Sequence, residues 1–597
     1  MAYGINPAHR ARTERRQALG RLKPTAAGVS VVAAPVEYPE VDIAIVCEST
    51  YPYMTGGLSA VVHQIADAHP EFSIGIIHIT WDDDSPAIDL YGVPPQVAWI
   101  KSVYQSISAT PNDFRSLSIG SIGVARSERG ALVDRVFGAI DAHFAGDDSE
   151  LWSLYDAGVN PLTRTFRLWP LLATLQFMRR ATTYFAGSGL SFTDLFWKIR
   201  EFMSLAHSAT DAVFPRAGVY HAHTTGAASM LAAAAARQHG GRFLLTEHNL
   251  YTRDTINFML GRSMATVVTA DEWRTLDHYE IAATGEQGTV TPEYRAWMAW
   301  WTRTGILAYR AAEQITYLYP DAIGEADGIG GIPEKSSVIP NGIEPLHFTE
   351  ARATYEARQA RLAAAGDDRI WKFAYASRVV RIKGLLDLLE SLALLVQRGY
   401  TNWEIDVMGP DNETPDYAAA CRARATELGL DGHVKFIGSV NLRERFGHFD
   451  LHILPSHNEG QPIVVLESMT IGIPTVGTYV GGMKQLVEDV LPGTDEDGQP
   501  IAVGAGGLLV RSHDVVGIAD SLERIMTTEG LAAELSANGR TRAESIFHID
   551  TAMGMYRSVY GELLGTTAAA PAATSRSATR RVTLELASTG SVSAISL

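Results

Sequence analysis

Cysteine is nearly missing from this chain: there are 2 in 597 residues, Cys47 and Cys421. Two cysteines so far apart give neither metal-ligand spacing nor a disulfide framework, so the fold has to stand on buried apolar surface. Long apolar runs are missing too. No stretch approaches the ~20 consecutive apolar residues of a membrane-spanning helix. The run "AAGVSVVAAPV" after the first basic residues is diluted by Ala, Gly and Ser and contains no leucine, which argues against a signal peptide. Positive charge is in deficit: 50 Lys and Arg against 67 Asp and Glu give a formal net charge of −17. Such a chain has no general attraction for nucleic acid or anionic lipid, and phosphate binding has to come from a local cation cluster. The exception is residues 1–23, rich in Arg, which read as part of a flexible basic arm over 1–40.

What is present is ordinary for a soluble globular protein, 46% apolar and 20% charged residues, and the length calls for two or three domains. Short β-branched or aromatic runs alternate with helical periodicity, which predicts parallel α/β domains. One series runs "VDIAIVCES", "FSIGIIHIT", "VYHAHTTG", "RFLLTEHN", "QITYLYP", "SSVIPNG"; a second runs "WKFAYAS", "WEIDVMG", "HVKFIGSV", "LHILPS", "PTVGTY", "GGLLVR". We expect two Rossmann-like doubly wound domains over 41–345 and 346–540, facing a central cleft. A helical insertion, carrying "LWPLLATLQFMRRATTYF" and "LFWKIREFMSLA", interrupts the first at about 100–215. A C-terminal helix over 541–565 is expected to pack back on the first domain, and an Ala/Ser/Thr-rich tail, 566–597, has no core pattern.

In open α/β sheets, ligands bind beyond the carboxyl ends of the strands. Arg378 and Lys383 of "SRVVRIKG" fall there, after "WKFAYAS" and at the start of a helix, where a cation is disfavoured unless an anion is bound beside it. Gly384 allows backbone to come close. The stretch "HNEGQPIVVLES" offers Glu459 and Glu467; with Pro462 opening a helix, both carboxylates can face one cleft, and free N–H groups across Gly460, Gln461, Ile463 and Val464 can meet phosphate. In the first domain, Gly56 and Gly57 of "YPYMTGGLSAVV" form a glycine loop at a helix mouth. "LLTEHNLYTRD" ends a strand with Glu247 and His248, and "YHAH" supplies His221 and His223.

The order and spacing of these pieces resemble glycosyltransferase family 4, retaining enzymes of the GT-B fold. In the second domain "SRVVRIKG", "GP", "VKFIGSV", "EGQPIVVLESMTIGIPTVGTYVGG" and "GGLLV" carry the resemblance; in the first, "ESTYPYMTGGLSAVVHQIADAHPEF", "TEHNLYTRD", "ITYLYP" and "IPNGIE" look like the PelF-type branch associated with bacterial exopolysaccharide synthesis. The resemblance implies a retaining, metal-independent hexosyltransferase with no cofactor. Arg378 and Lys383 would hold the diphosphate of a UDP-sugar, UDP-glucose first; Glu467 would hold the ribose, Glu459 the transferred sugar, and His248 would stand near the reacting sugar. The implied partners are a sugar nucleotide, a saccharide or glycoconjugate acceptor and a membrane exopolysaccharide export or synthase subunit, with no nucleic acid. The implied location is cytoplasmic, at most peripheral at the inner face of the membrane. The nearest Asp-rich element, "WDDDSP", lies outside the donor domain. Glycogen and starch synthases carry a lysine before a similar Thr-Gly-Gly-Leu; here that position is Met54, which weighs against ADP-glucose. A non-catalytic sugar-nucleotide sensor or scaffold, or a synthase-like enzyme of the glycogen, starch or sucrose type, stays open as an alternative.

Overall fold

The computed structural model describes residues 37–82, 87–106, 118–260, 291–365, 369–495 and 497–566. The expected basic arm and tail, and the acidic centre of "WDDDSP", lie almost wholly outside these residues. The first sheet has seven parallel strands: β1 Val41–Glu48, β2 Ile74–Thr80, β3 Val97–Tyr104, β4 Ala217–Ala222, β5 Arg242–Glu247, β6 Gln314–Tyr317 and β7 Ser336–Val338, in the order β3-β2-β1-β4-β5-β6-β7. The second has six, β8 Trp371–Ala376, β9 Trp403–Met408, β10 Val434–Gly438, β11 Leu451–Leu454, β12 Thr475–Thr478 and β15 Gly507–Val510, in the order β10-β9-β8-β11-β12-β15. Between β12 and β15 a two-stranded antiparallel hairpin, β13 Leu491–Thr494 and β14 Pro500–Val503, stands apart. Both large sheets are doubly wound, as the alternating pattern predicts, and each reverses its strand order once: between β1 and β4, and between β8 and β11.

The central strands are nearly continuous in apolar residues because helices cover both faces. Ile43, Ile45, Val219 and Leu244 are fully buried in the first sheet, Phe373, Tyr375, Leu451 and Ile453 in the second. The helix Ile549–Leu564 packs Ala552, Met553, Tyr556 and Tyr560 into the core of the first sheet. Between β3 and β4 the helices Arg129–Ala145, Ser149–Gly158, Leu175–Tyr184 and Phe192–Thr210 gather a separate core around Phe137, Leu154, Leu171 and Phe177.

Three local expectations need correction. Residues 97–104 are a strand, not the start of the insertion: β3 is an edge strand whose half-burial leaves Lys101 and Ser102 between buried Trp99 and Val103, and this breaks the apolar run that marks the inner strands. The hairpin is absent from the expected strand series because Pro492, Gly493 and Pro500 are poor strand residues, tolerated only where no further strand pairs. Pro462 is not the first helical residue. Its ψ of 121° is extended, so it caps the helix Ile463–Ile471 from outside.

Candidate active site

Each reversal of strand order opens a crevice between diverging loops, the usual ligand position in such sheets. At the second sheet the crevice lies between the loop after β8, which carries Arg378 to Gly384, and the loop after β11, which carries Ser456 to Pro462. The two loops are stitched together. The His457 N–H donates to the Ile382 carbonyl at 2.8 Å, and Gly384, at φ 66°, leaves space that a Cβ would take from the Pro455 carbonyl oxygen. Lys383 reaches across to Glu459 with Nζ to Oε1 at 2.5 Å, and Ser456 Oγ donates to the same oxygen at 2.7 Å. Lys383 and Glu459, 76 residues apart in the chain, are therefore one largely buried ion pair.

Arg378 does not join them. Its Nη1 donates to both oxygens of Glu413 at 2.7 and 2.9 Å, and both side chains are about half exposed. The spacing of Arg378 and Lys383 suggests a matched pair of cations; the short 3₁₀ turn Arg381–Lys383 instead sends them to different neighbours. Glu467 lies in the second turn of the helix Ile463–Ile471, largely buried, and burial pushes its carboxyl up to about 7 against the lowering effect of Arg443. Gln461 is committed elsewhere as a side chain: its Oε1 accepts from the Asn341 N–H at 2.6 Å and its backbone carbonyl accepts from Asn341 Nδ2 at 2.8 Å. Ile463 and Val464 open the helix, so their N–H groups have no intrahelical acceptor.

The first sheet supplies the facing wall. Gly56 and Gly57 stand at the mouth of the helix Gly57–Ala68, and a Cβ on Gly57 would lie 3.8 Å from Ile463 Cδ1. Past β5, the His248 carbonyl lies so close to Gly460 that any side chain there would run into it. His248 Nε2 and His223 Nδ1 are 2.8 Å apart; His221 stacks behind with its ring centroid 4.1 Å from that of His223 and is held by Tyr560 Oη at 2.8 Å and Thr246 Oγ1 at 2.7 Å. Burial holds all three imidazoles well below their ordinary 6.5, His248 at about 3. Glu247 is buried and accepts from Tyr309 Oη at 2.8 Å, and burial raises its carboxyl to about 7.

The contact that sequence reasoning missed is a polar clamp between the walls. Arg253 is 2% exposed and binds Asp254 at 2.9 Å, Asn249 Oδ1 at 2.8 Å, Glu325, and Asn458 Oδ1 at 3.0 Å; Asn458 Nδ2 in turn donates to Asp254 Oδ2 at 3.0 Å. Asn458 precedes Glu459, so the first wall holds the loop that presents this carboxylate. Adjacent charges in "YTRD" on an otherwise covered helix were the available signal.

Residues 371–528 match the family described as "Glycosyl transferases group 1". This part of the chain, the group 1 domain, is similar to that family. Residues 41–326 match "Domain of unknown function (DUF3492)". Among curated proteins, the chain is similar to D-inositol 3-phosphate glycosyltransferases: that of Saccharomonospora viridis is 26% identical over 265 residues, 43% of this chain and 55% of the relative, and that of Actinosynnema mirum is 29% identical over 252 residues, 40% and 55%. The chain thus spans about half the length of the curated relatives it matches. Among solved structures, sucrose-phosphate synthase from Thermosynechococcus elongatus aligns with a TM-score of 0.51 at 16% identity, over 87% of this chain and 99% of that one. Anabaena HepE in complex with UDP aligns at 0.50 and 14%, over 87% and 100%. The architecture is GT-B: two Rossmann-like domains, of which the group 1 domain contributes the crevice with Lys383 and Glu459.

The histidine row facing the group 1 domain sets an acid limit on the fold. An imidazole held neutral in the folded chain gains its proton on unfolding, so the unfolded state binds more protons as the pH drops below 6.5, and stability falls with it. The contribution is complete above 6.5 and lost on the way toward the folded values. Thermal melts between pH 8 and 5 are expected to show a falling transition temperature below about 6.5, shallower in a His223→Gln variant, which has one fewer buried imidazole; an unchanged slope would contradict this origin.

Proposed function

We propose that this protein is a retaining glycosyltransferase that moves a sugar from a nucleoside-diphosphate sugar, UDP-glucose first, to a saccharide or glycoconjugate acceptor in exopolysaccharide synthesis, in the manner of the PelF-type branch. The observation that carries the reading is the Lys383–Glu459 pair in the crevice of the group 1 sheet, across from Gly57 and His248 of the other domain. Lys383 and the open N–H groups at Ile463 and Val464 converge on one crevice, a combination suited to a diphosphate. Negative charge grows on the leaving diphosphate as the C1–O bond breaks, and fixed positive groups lower that barrier most when they are already in place. Glu459 is suited to hydroxyls of the transferred sugar and Glu467 to those of the ribose. Retention is read as attack by the acceptor on the face the diphosphate leaves, and no cofactor or catalytic metal is required at the diphosphate.

That Anabaena HepE was solved with UDP supports the choice of nucleotide. The acceptor belongs to the first domain and its helical insertion. No helix among the described residues is long and apolar enough to cross a membrane; contact with a membrane export or synthase subunit, at the inner face, is assigned to the basic arm.

The test is a screen of sugar nucleotides with oligosaccharide acceptors in EDTA, following released nucleotide and the anomer formed. UDP release with a retained anomer is expected. An inverted product or turnover that vanishes with chelator would overturn the mechanism, and donor binding without turnover would make the protein a sugar-nucleotide sensor. A second expectation concerns Glu467. Its carboxyl is neutral below about 7, so UDP affinity should weaken as the pH falls from 8 to 6, by roughly tenfold if the ionised form alone holds the ribose. Isothermal titration checks this; Glu467→Gln should bind weakly with a flat profile over that range.

A further inference from the structure

Asp387, His457 and His513 take no part in the chemistry above, yet they converge from three places in the chain. Asp387 is in the first turn of the helix Leu385–Gln397, His457 is in the loop after β11, and His513 is in the loop after β15. Asp387 Oδ2 lies 3.0 Å from His457 Nε2 and 3.0 Å from His513 Nδ1, and the two imidazole centroids are 3.8 Å apart. One ligand atom from each residue falls within 4.8 Å of the others.

We propose that these three side chains form a binding site for a divalent transition-metal ion of the zinc class. Zinc takes imidazole nitrogen and carboxylate oxygen at about 2.0–2.2 Å in a tetrahedron, which sets neighbouring ligand atoms roughly 3.3 Å apart. The two Asp387 distances are already near that. Two imidazoles and one carboxylate suit zinc, cobalt or nickel and not magnesium, which prefers an all-oxygen shell. His513 is 57% exposed as a side chain, which leaves an open side for entry and for a water as fourth ligand.

Two further features set the triad apart from a chance salt link. One imidazole would satisfy a single carboxylate, and the second stands within ring contact of the first, where two protonated rings would repel each other. His513 also sits at φ 64°, a left-handed backbone that glycine adopts more readily. The consequence lies next door. His457 is bonded through its N–H to Ile382 and precedes Asn458 and Glu459, while Asp387 follows Gly384. A bound ion would therefore staple the loop of Lys383 to the loop of Glu459 without touching either side chain. The inference rests on the triad and not on the proposed reaction; an ion that positions loops is compatible with turnover persisting in chelator.

The test uses the full chain stripped of metal and titrated with Co²⁺. Saturation near one equivalent, with ligand-field absorption in the visible that Zn²⁺ displaces, is expected, along with a rise in melting temperature on adding Zn²⁺ but not Mg²⁺. His513→Gly removes one ligand and relaxes the left-handed backbone. It should keep or raise the metal-free melting temperature, while weakening Co²⁺ binding by more than the roughly 10–100-fold that loss of a supporting contact costs. His457→Ala should abolish the absorption as well. Wild-type protein without saturable Co²⁺ binding would reduce the triad to a hydrogen-bonded link. A His513→Gly variant that binds Co²⁺ as the wild type does would move the ion to other histidines. Either result overturns the site, whatever the donor screen gives.

Discussion

Replacing Lys383 with alanine is expected to lower turnover by about 10²–10³-fold, the usual loss when one fixed positive group is removed from a developing anion. The expectation follows from its place beside Glu459, in a crevice that also presents the open N–H groups at the start of the helix Ile463–Ile471. The same change leaves Glu459, 8% exposed, with Ser456 as its remaining close partner. An orphaned carboxylate in that position should cost about 1–3 kcal/mol of stability. The two losses separate. Lys383→Met combined with Glu459→Gln removes both charges, so it should recover most of the melting temperature and none of the activity. Steady-state kinetics at saturating donor and acceptor, with thermal melts on the same preparations, make the comparison. A Lys383→Ala enzyme with near-normal turnover would remove this lysine from the leaving-group site. Arg378 is the internal control: it is half exposed and already paired with Glu413, so its alanine variant should lose much less.

The difference between those two cations shows where the sequence was readable and where it was not. The alternation of "WKFAYAS" and "LHILPS" with helical segments gave away the second sheet, because burial on both faces forces apolar runs and the intervening helices force parallel order. It also placed Lys383 and Glu459 at the carboxyl ends of strands. What local pattern could not give was which charges would meet. The Arg381–Lys383 turn parts Arg378 from Lys383, and the fold brings Lys383 onto Glu459 instead. The Arg253–Asn458 clamp was illegible for the same reason, since it joins residues 205 apart in the chain, and neither carries a period that betrays the partner. Strand β3 was missed because an edge strand has one poorly covered face and alternates where the inner strands do not.

His248 carries the second large effect. Under the proposed function, its alanine variant is expected to turn over ~10²-fold or more slowly, by loss of one hydrogen-bonding group at the proposed sugar position, with UDP affinity largely kept because the proposed diphosphate contacts lie on the opposite wall. The structure narrows how the imidazole can act. Burial holds it neutral down to about 3, and its Nε2 is taken by His223, so near neutrality it cannot work by gaining and losing a proton. It can act only as a fixed neutral ring with Nδ1 left to hydrogen-bond. The pH dependence of turnover should therefore keep its shape in a His248→Ala enzyme while its height drops, and His248→Asn, which retains a polar group near the same point, should recover part of the loss. The backbone is a separate matter, since the His248 carbonyl against Gly460 survives any side-chain change. A variant that loses UDP binding, melting temperature and activity in parallel would make His248 a fold residue. A fully active variant would shift the assignment to His223, whose Nε2 is buried without a hydrogen-bond partner and which, with His248 removed, also loses the contact that fixes its Nδ1.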